Sequence, residues 1–506
     1  VTELRIKVST PAFYSFRFSY RCLPEGRNDP SFSLMIDGVV PYSGAGSITL
    51  RRFWNVAEIE KDSGGNDIRG KMSLCEEWFD GVISDSSGIE TEPYRFYLSA
   101  GDHTLTLTGA DGVCQIKRLT AFGYTSPDSY EQFLRKNAGA AIYDGELLCF
   151  ESENPVLVNS RCVIANSDMT SALTTPSSTS ASKLNILGGS NWKTAGDSVV
   201  WEVEVPETAL YRISFRFKQD SYQGFTSYRA LYVNGAIPYK EVASIAFRYD
   251  DAWQTYSNEQ YILLNKGKNR IALTCVLGES AALLKRTNAV ISSLNALYSS
   301  LLMVIGSSPD SYRDYHLEKE IPDLQQTVSE IADEIDRLCD DVLAVSGENK
   351  GQLSALSDSS RQLRDMARDL RSITKGSRLQ RLKSNISSVA SFAAKLQGCP
   401  LTLDKFTLCG DQKVDLHSIG FFRKAGYSLK RFLSSFTGDY NAASGKGERK
   451  ISVWISTGRD QLQVVRGMIE SDFSPHSGIS VSVKLVTGSI IQATLARKGP
   501  DVALGR

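Results

Sequence analysis

Ser15-Phe16-Arg17-Phe18, followed by Leu34-Met35-Ile36-Asp37-Gly38-Val39-Val40-Pro41-Tyr42, returns about 200 residues later as Ser214-Phe215-Arg216-Phe217 and Leu231-Tyr232-Val233-Asn234-Gly235-Ala236-Ile237-Pro238-Tyr239. Ser47-Ile48 is matched by Ser244-Ile245, and Gly101-Asp102-His103-Thr104-Leu105-Thr106-Leu107 by Gly267-Lys268-Asn269-Arg270-Ile271-Ala272-Leu273. Ordered blocks of this kind mark a duplicated domain. The first copy carries roughly thirty additional residues between Trp54 and Pro93. Within each copy the apolar residues alternate, as in Phe16, Phe18 and Tyr20, and Asp-Gly, Asn-Gly or Lys-Gly turns bound the runs. That pattern predicts half-buried antiparallel strands joined by hairpins. Two β-sandwiches follow, at about residues 1–125 and 146–297, and the Ser/Thr/Pro-rich stretch 174–182 reads as a surface loop of the second.

After Pro309 the period changes. Ile321, Leu324, Val328, Ile331, Ile335, Leu338, Val342 and Val345 alternate spacings of three and four, a heptad seam on a helix with Pro322 in its first turn. A second stripe runs from Leu353 to Ile373 and a third from Leu379 to Leu396, with Gly376 and Gly398 closing them. Short glycine-containing turns between helices of similar length predict an antiparallel three-helix bundle over 310–398. Residues 399–450 read as a connecting segment: a short strand-like piece, an amphipathic helix and an exposed linker.

The last residues, 451–506, have a third texture. Apolar runs at Ile451–Ile455, Ile479–Val486 and Val502–Leu504 alternate with helical patterns at Asp460–Phe473 and Ile490–Ala496, the signature of a parallel α/β sheet. In such sheets ligands bind beyond the carboxyl ends of the strands, which makes Ser456, Thr457, Gly458, Arg459 and Asp460 candidate ligand-binding residues. Serine and threonine offer hydroxyls, glycine lets the backbone approach, and arginine brings five fixed donors.

Lys plus Arg and Asp plus Glu both number 57, so the formal charge is zero, which argues against nucleic acid as a partner. No apolar run approaches the roughly 20 residues that span a bilayer, so no transmembrane helix is expected. The chain begins at Val1 without a basic segment leading into an apolar one, which reads as a processed or excised piece; any membrane association would come through an anchor outside this chain. Its nine cysteines, irregularly spaced, fit neither a disulfide framework nor a zinc site, and buried free thiols are expected, with one pair within a domain left open. His103 sits in the repeated turn where the second copy has Asn269, and a surface role is expected for it.

Residues 451–505, through Gly458-Arg459-Asp460-Gln461, Ile479-Ser480-Val481-Ser482-Val483 and Gly499-Pro500-Asp501-Val502-Ala503, resemble the start of the first lobe of extracellular solute-binding proteins serving carbohydrate ABC importers. The two sandwiches resemble galactose-binding-like carbohydrate-binding modules. With Pro309-Asp310-Ser311-Tyr312-Arg313-Asp314-Tyr315 and Ile321-Pro322 at the junction to the bundle, the whole resembles large Firmicute-type solute-binding proteins. The resemblance implies an extracellular lipoprotein of a Gram-positive cell surface, non-catalytic, that binds an oligosaccharide or other glycan and delivers it to ABC permease subunits. That family continues well past Arg506, so weak or no importer-type sugar binding is expected from this length of chain.

In the second sandwich, Phe150-Glu151-Ser152-Glu153 resembles the Glu-x-Glu strand that in such modules holds a structural calcium, implying Glu151 and Glu153 as ligands; carboxylates are suitably hard donors. Sugar faces stack on aromatics, which nominates Trp192, Tyr222, Tyr228, Tyr249 and Trp253 in the second copy and Trp54, Trp78 and Tyr94 in the first. Trp201, Tyr211, Phe215 and Phe217 alternate along strands and are expected in the core. The acidic residues of the first copy's insertion, from Glu58 to Asp80, lack a cleft that would tune a hydrolytic pair and read as a solvated loop or an interdomain contact. The other reading of the chain is a cell-surface glycan-binding or adhesive region attached to a glycoside hydrolase or another effector.

Overall fold

The computed structural model describes residues 1–61, 67–171, 173–178, 183–346, 353–412, 450–456, 461–462, 465, 468–469, 473–486, 494–495 and 499–504. In the first sandwich one sheet runs Thr2–Val8, Gly101–Asp111, Ser31–Ile36, Ile48–Thr49, and the other runs Phe96–Leu98, Ala12–Cys22, Cys114–Phe122, with Phe79–Val82 also on Ala12–Cys22. Phe16, Phe18, Tyr20, Leu34, Leu105 and Leu107 close the core between them. The repeated turn is a tight two-residue hairpin in both copies. Asp37 and Gly38 take φ of 51° and 82°, Asn234 and Gly235 take 51° and 84°. Left-handed backbone at both central positions matches the strand twist, which is why Asp-Gly and Asn-Gly occur there.

His103 is not a surface residue. Its Nδ1 lies 2.6 Å from Asp37 Oδ2 and its Nε2 lies 2.9 Å from the Ser99 carbonyl, so it locks the hairpin to the next strand. The second copy makes the same lock with amides, Asn234 Nδ2 donating to Asn269 Oδ1 at 3.0 Å.

In the second sandwich the strand Ala209–Gln219 corresponds to Ala12–Cys22, and its partner in the sheet is Leu401–Cys409. The first copy places Cys114–Phe122 in that slot, with Phe18 opposite Leu119 where the second copy has Phe217 opposite Leu403. The strand-like piece after the bundle, Leu401–Cys409, is therefore not part of a connector. It is the last strand of the second sandwich, and the whole bundle is inserted into the hairpin that closes it. Leu403, Phe406 and Leu408 are fully buried there. The N-terminal edge of the same domain is the helix Tyr130–Lys136, started by a Ser129/Gln132 capping box and packed through Phe133 on Tyr239 at 5.2 Å.

The first copy's insertion joins the sandwiches. Its strands Trp54–Val56 and Met72–Leu74 extend a second-sandwich sheet in the order Ile245–Phe247, Ser227–Val233, Gly267–Val276, Ser198–Val205, Leu157–Val158, Trp54–Val56, Met72–Leu74. Its acids pair across the junction, Asp67 with Lys183 at 2.9 Å, Glu77 with Arg270 at 3.1 Å. Glu90 reaches Lys285 of the bundle at 2.6 Å.

The bundle has four long helices rather than three. Ser280–Ile305 precedes Leu324–Ser346, Ser354–Arg368 and Arg378–Gln397, and packs on the second and the last of the four. It begins inside the stretch assigned from sequence to the second sandwich. By length and composition it could cross a membrane, but its apolar face, Leu283, Val290, Leu294, Leu297 and Leu301, lies in one cluster with the heptad seam of Leu324–Ser346. Its own seam, Leu283, Thr287, Val290, Leu294, Leu297 and Leu301, alternates spacings of four and three, a signal present in the sequence but masked by its continuity with the last sandwich strand.

At the C-terminal end, Ser480–Leu485 and Val502–Leu504 flank Lys450–Ile455, all parallel. The amphipathic helix and linker expected between the bundle and this sheet, up to residue 449, and most of the two helical patterns within 460–496 lie outside the described residues.

Candidate functional site

Among the described residues, a cluster of buried charge lies on the second sandwich, where Leu148–Glu151 and Ala209–Gln219 flank the returning strand Leu401–Cys409. Alternation turns Arg216 away from Phe215 and Phe217, onto the face covered by the segment 168–178. Arg216 is 1% exposed and pairs with Asp404, 0% exposed. Its guanidinium also donates to Thr174 Oγ1 at 3.2 Å and Ser171 Oγ at 3.0 Å, and stacks on Trp253 at 4.5 Å. Thr175 Oγ1 bridges Lys405 Nζ at 2.6 Å and Glu151 Oε1 at 2.8 Å. The Ser/Thr/Pro-rich stretch is thus, where described, the lid of a polar cluster rather than a free surface loop; Thr174 is fully buried.

Three carboxylate oxygens in this cluster are buried without a hydrogen-bond partner: Glu151 Oε2, Glu153 Oε2 and Asp404 Oδ1. Burial, with Glu151 and Asp404 nearby, pushes the Glu153 carboxyl up to about 8. Burial likewise lifts Asp404 to about 6, against the pull of Arg216 and Lys405. Unsatisfied hard oxygens are the donor set a calcium ion takes. Their present positions do not converge, however: among the described residues no three His, Cys, Asp or Glu side chains are arranged to hold a metal ion. Asp404 was not nominated from sequence. Its signal was available as a single acid in the apolar run Leu401-Thr402-Leu403-Asp404, once that run is recognised as a core strand.

Glu153 also lines a cavity of about 310 Å³ between the hairpin 54–74 and the second sandwich, with Arg69, Lys71, Arg161 and Met72. It is the only carboxylate among the described lining residues.

The nominated aromatics separate by environment. Trp192 is fully enclosed, with the Arg229 guanidinium 4.3 Å over its ring, and has no face left for a sugar. Tyr228 is buried, its hydroxyl 3.4 Å from Glu279, and Tyr222 packs on the bundle. Trp253 is occupied by Arg216 and donates to Asp168 at 3.1 Å. Tyr249 and Trp54 are half-buried, Trp54 between Arg52 and Arg161. Tyr94 is half-buried against Tyr42, 5.3 Å between ring centres. Trp78 alone of the set is exposed, at 41%, flanked by Arg21 at 5.2 Å and Lys117 at 5.6 Å. Sequence reasoning missed further aromatics on the same sheet of the first sandwich, toward the other end of strand Ala12–Cys22: Phe13 and Tyr97, each 61% exposed and 5.4 Å apart, and Phe122 beneath Arg17 at 4.9 Å. Their signal is the other phase of the strand alternation, in which aromatic residues occupy solvent-facing positions.

Of the residues nominated beyond Lys450–Ile455, Ser456 is described, its N–H donating to the Leu504 carbonyl at 3.3 Å; Thr457, Gly458, Arg459 and Asp460 lie outside the described residues.

Geometry defines a pair of related β-sandwiches, the second carrying an inserted helical bundle. Residues 282–398, the inserted bundle, match the family described as "Bacterial solute-binding protein, 4-helix bundle domain". A comparison with curated proteins finds no match to the chain. Among solved structures, a family 35 carbohydrate-binding module from Clostridium thermocellum is similar at 18% identity, over 26% of this chain and 88% of that one, with a TM-score of 0.21. A cycloisomaltooligosaccharide glucanotransferase from Paenibacillus sp. is similar at 25% identity, over 30% of this chain and 22% of that one, with a TM-score of 0.20. A ruminal GH26 endo-beta-1,4-mannanase is similar at 10% identity, over 62% of this chain and 36% of that one, with a TM-score of 0.21. At these scores the likenesses decide nothing about what this chain binds.

Proposed function

We propose that the chain is part of the extracytoplasmic substrate-binding component of an ABC importer, that it binds carbohydrate without making or breaking a bond, and that it passes the ligand to permease subunits. The observation that carries this reading is the match of the inserted bundle to the bundle domain of bacterial solute-binding proteins. The parallel sheet that follows supports it, since its central strand Lys450–Ile455 leads into Ser456 and the nominated turn through Asp460. In this reading the protein is a lipoprotein held at a Gram-positive cell surface by an anchor outside the chain, and the open aromatic face around Trp78 is an accessory glycan surface.

Calcium belongs to the same proposal only with a rearrangement: Glu151, Glu153 and Asp404, which do not converge as they stand, would have to draw together to hold the ion, which would supply the positive charge their unpartnered oxygens lack. The test is calorimetry of the full gene product against a panel of oligosaccharides, with a reducing-end assay on the same mixtures. Binding with no new reducing ends is expected. Release of reducing ends would overturn the non-catalytic reading, and absence of binding to every glycan would overturn the carbohydrate reading.

A further inference from the structure

In the first sandwich the last two strands are joined by a turn of two residues, Gly112-Val113. In the second, the chain leaves Gly267–Val276 and returns only at Leu401. Cys275 stands one residue before the exit, and Cys399 two residues before the return. Three independent contacts bring them together. Arg229 lies opposite Cys275 in the register of its strand, and its guanidinium donates to the Cys399 carbonyl at 2.9 Å. The Cys399 N–H donates to the Lys193 carbonyl at 2.9 Å, and the Gly196 N–H donates to the Cys275 carbonyl at 2.8 Å, so one turn holds both. Both are free thiols in this structure, their side chains are near enough to interact electrostatically, and the residues are 1% and 0% exposed.

We propose that Cys275 and Cys399 form a disulfide at the root of the inserted bundle, fastening the chain's exit to its return. The oxidant is an external disulfide, met outside the reducing cytoplasm, and to that extent the proposal rests on the extracytoplasmic reading. One of the two thiolates attacks the external disulfide and expels one thiol; the other cysteine then attacks the protein sulfur of the mixed disulfide and expels the second. The two cysteine protons end on the two external thiols, and two electrons reduce the external disulfide as the pair is oxidised. Neither sulfur is reachable in the folded domain, so exchange precedes closure of the stem. By bridging a loop of more than 100 residues, the bond removes much of the unfolded chain's freedom.

The test is peptide mapping of the exported protein, alkylated and digested with trypsin without reductant. A parallel sample is unfolded, then refolded with reduced and oxidised glutathione in vitro, which removes any dependence on the importer reading. The expected product is Ile271–Lys285 joined to Leu396–Lys405, each holding one cysteine. Reductant should split it and lower the thermal midpoint by on the order of 10 °C, a drop that Cys275→Ser/Cys399→Ser lacks. Recovery of both peptides singly alkylated in both samples, or joined to other cysteines, overturns the proposal.

Discussion

The arginine of the repeated Ser-Phe-Arg-Phe strand meets opposite fates in the two sandwiches. Arg17 lies on an open sheet face, its guanidinium resting on Phe122. Arg216, at the same strand position, is sealed beneath the segment 168–178 and neutralised by Asp404. The strand itself is the same; what differs is what the chain lays over it. The first copy closes its hairpin at once and leaves the last strand Cys114–Phe122 at an edge. The second postpones that strand by a whole domain, then places it centrally, with Leu148–Glu151 and Ile186–Gly189 beyond it. A duplicated scaffold has thus given one open aromatic face and one covered polar cluster.

The largest effect expected from breaking this contrast is at the arginine. Arg216→Ala leaves Asp404 buried with only Lys405, 4.0 Å away, as a partner and should cost about 3–5 kcal/mol in denaturant unfolding followed through the buried Trp192 and Trp201. Arg17→Ala should stay within about 0.5 kcal/mol. Equal costs would show that the covered and open faces are energetically alike. At the next level, Leu403→Ala, fully buried, should cost about 2–5 kcal/mol, and Leu119→Ala at the matching edge position less than half of that.

Calcium sharpens the comparison further. At 100 times its dissociation constant it should stabilise the second sandwich by about 2.7 kcal/mol, and Glu151→Gln/Glu153→Gln should abolish the gain. No calcium-dependent shift in thermal midpoint would remove the ion from the account.

The same cluster sets a pH dependence. Glu153 titrates at about 8 folded against 4.5 unfolded, so between those values the folded state binds the extra proton. Its charged form therefore penalises folding above about pH 8, and the penalty fades as pH falls toward 5. Without calcium, the midpoint of the second sandwich should rise from pH 8 to 5.5, and Glu153→Gln should flatten that rise.

The smallest effect belongs to the first copy's hairpin lock. Asp37 raises the His103 pKa and is itself lowered. The pair therefore contributes fully between the ordinary carboxylate and imidazole values, and the contribution is lost as pH rises through His103's raised value. Asp37 is half exposed, so the loss should be under about 1 kcal/mol. Transplanting the second copy's amides, Asp37→Asn with His103→Asn, should make the first sandwich's midpoint insensitive to pH between 6 and 8.

Much of this was legible in the sequence, because it rests on short-range rules. Alternation placed Phe16, Phe18, Phe215, Phe217 and Trp201 in cores, Asp-Gly and Asn-Gly fixed the hairpins, and the heptad seam from Leu324 to Val342 lies buried in the bundle. Nominating aromatics by residue type worked poorly: Trp192 and Tyr228 sit beneath Arg229 and the bundle stem, whereas exposed Phe13 and Tyr97 went unnoticed. Residue type records that a ring is apolar, and only packing decides whether a second layer covers it.

Local pattern determined the described elements of this chain: two runs of alternating strands, helices with apolar stripes, and a parallel sheet at the end. Strand pairing decided the rest. That Leu401–Cys409 pairs with Ala209–Gln219, a strand nearly 200 residues earlier, is set by which edge was left open and by the apolar area gained in closing it, and neither quantity exists until the chain has folded. From that closure come the buried Arg216–Asp404 pair, the unpartnered carboxylate oxygens beside it, and the meeting of Cys275 with Cys399.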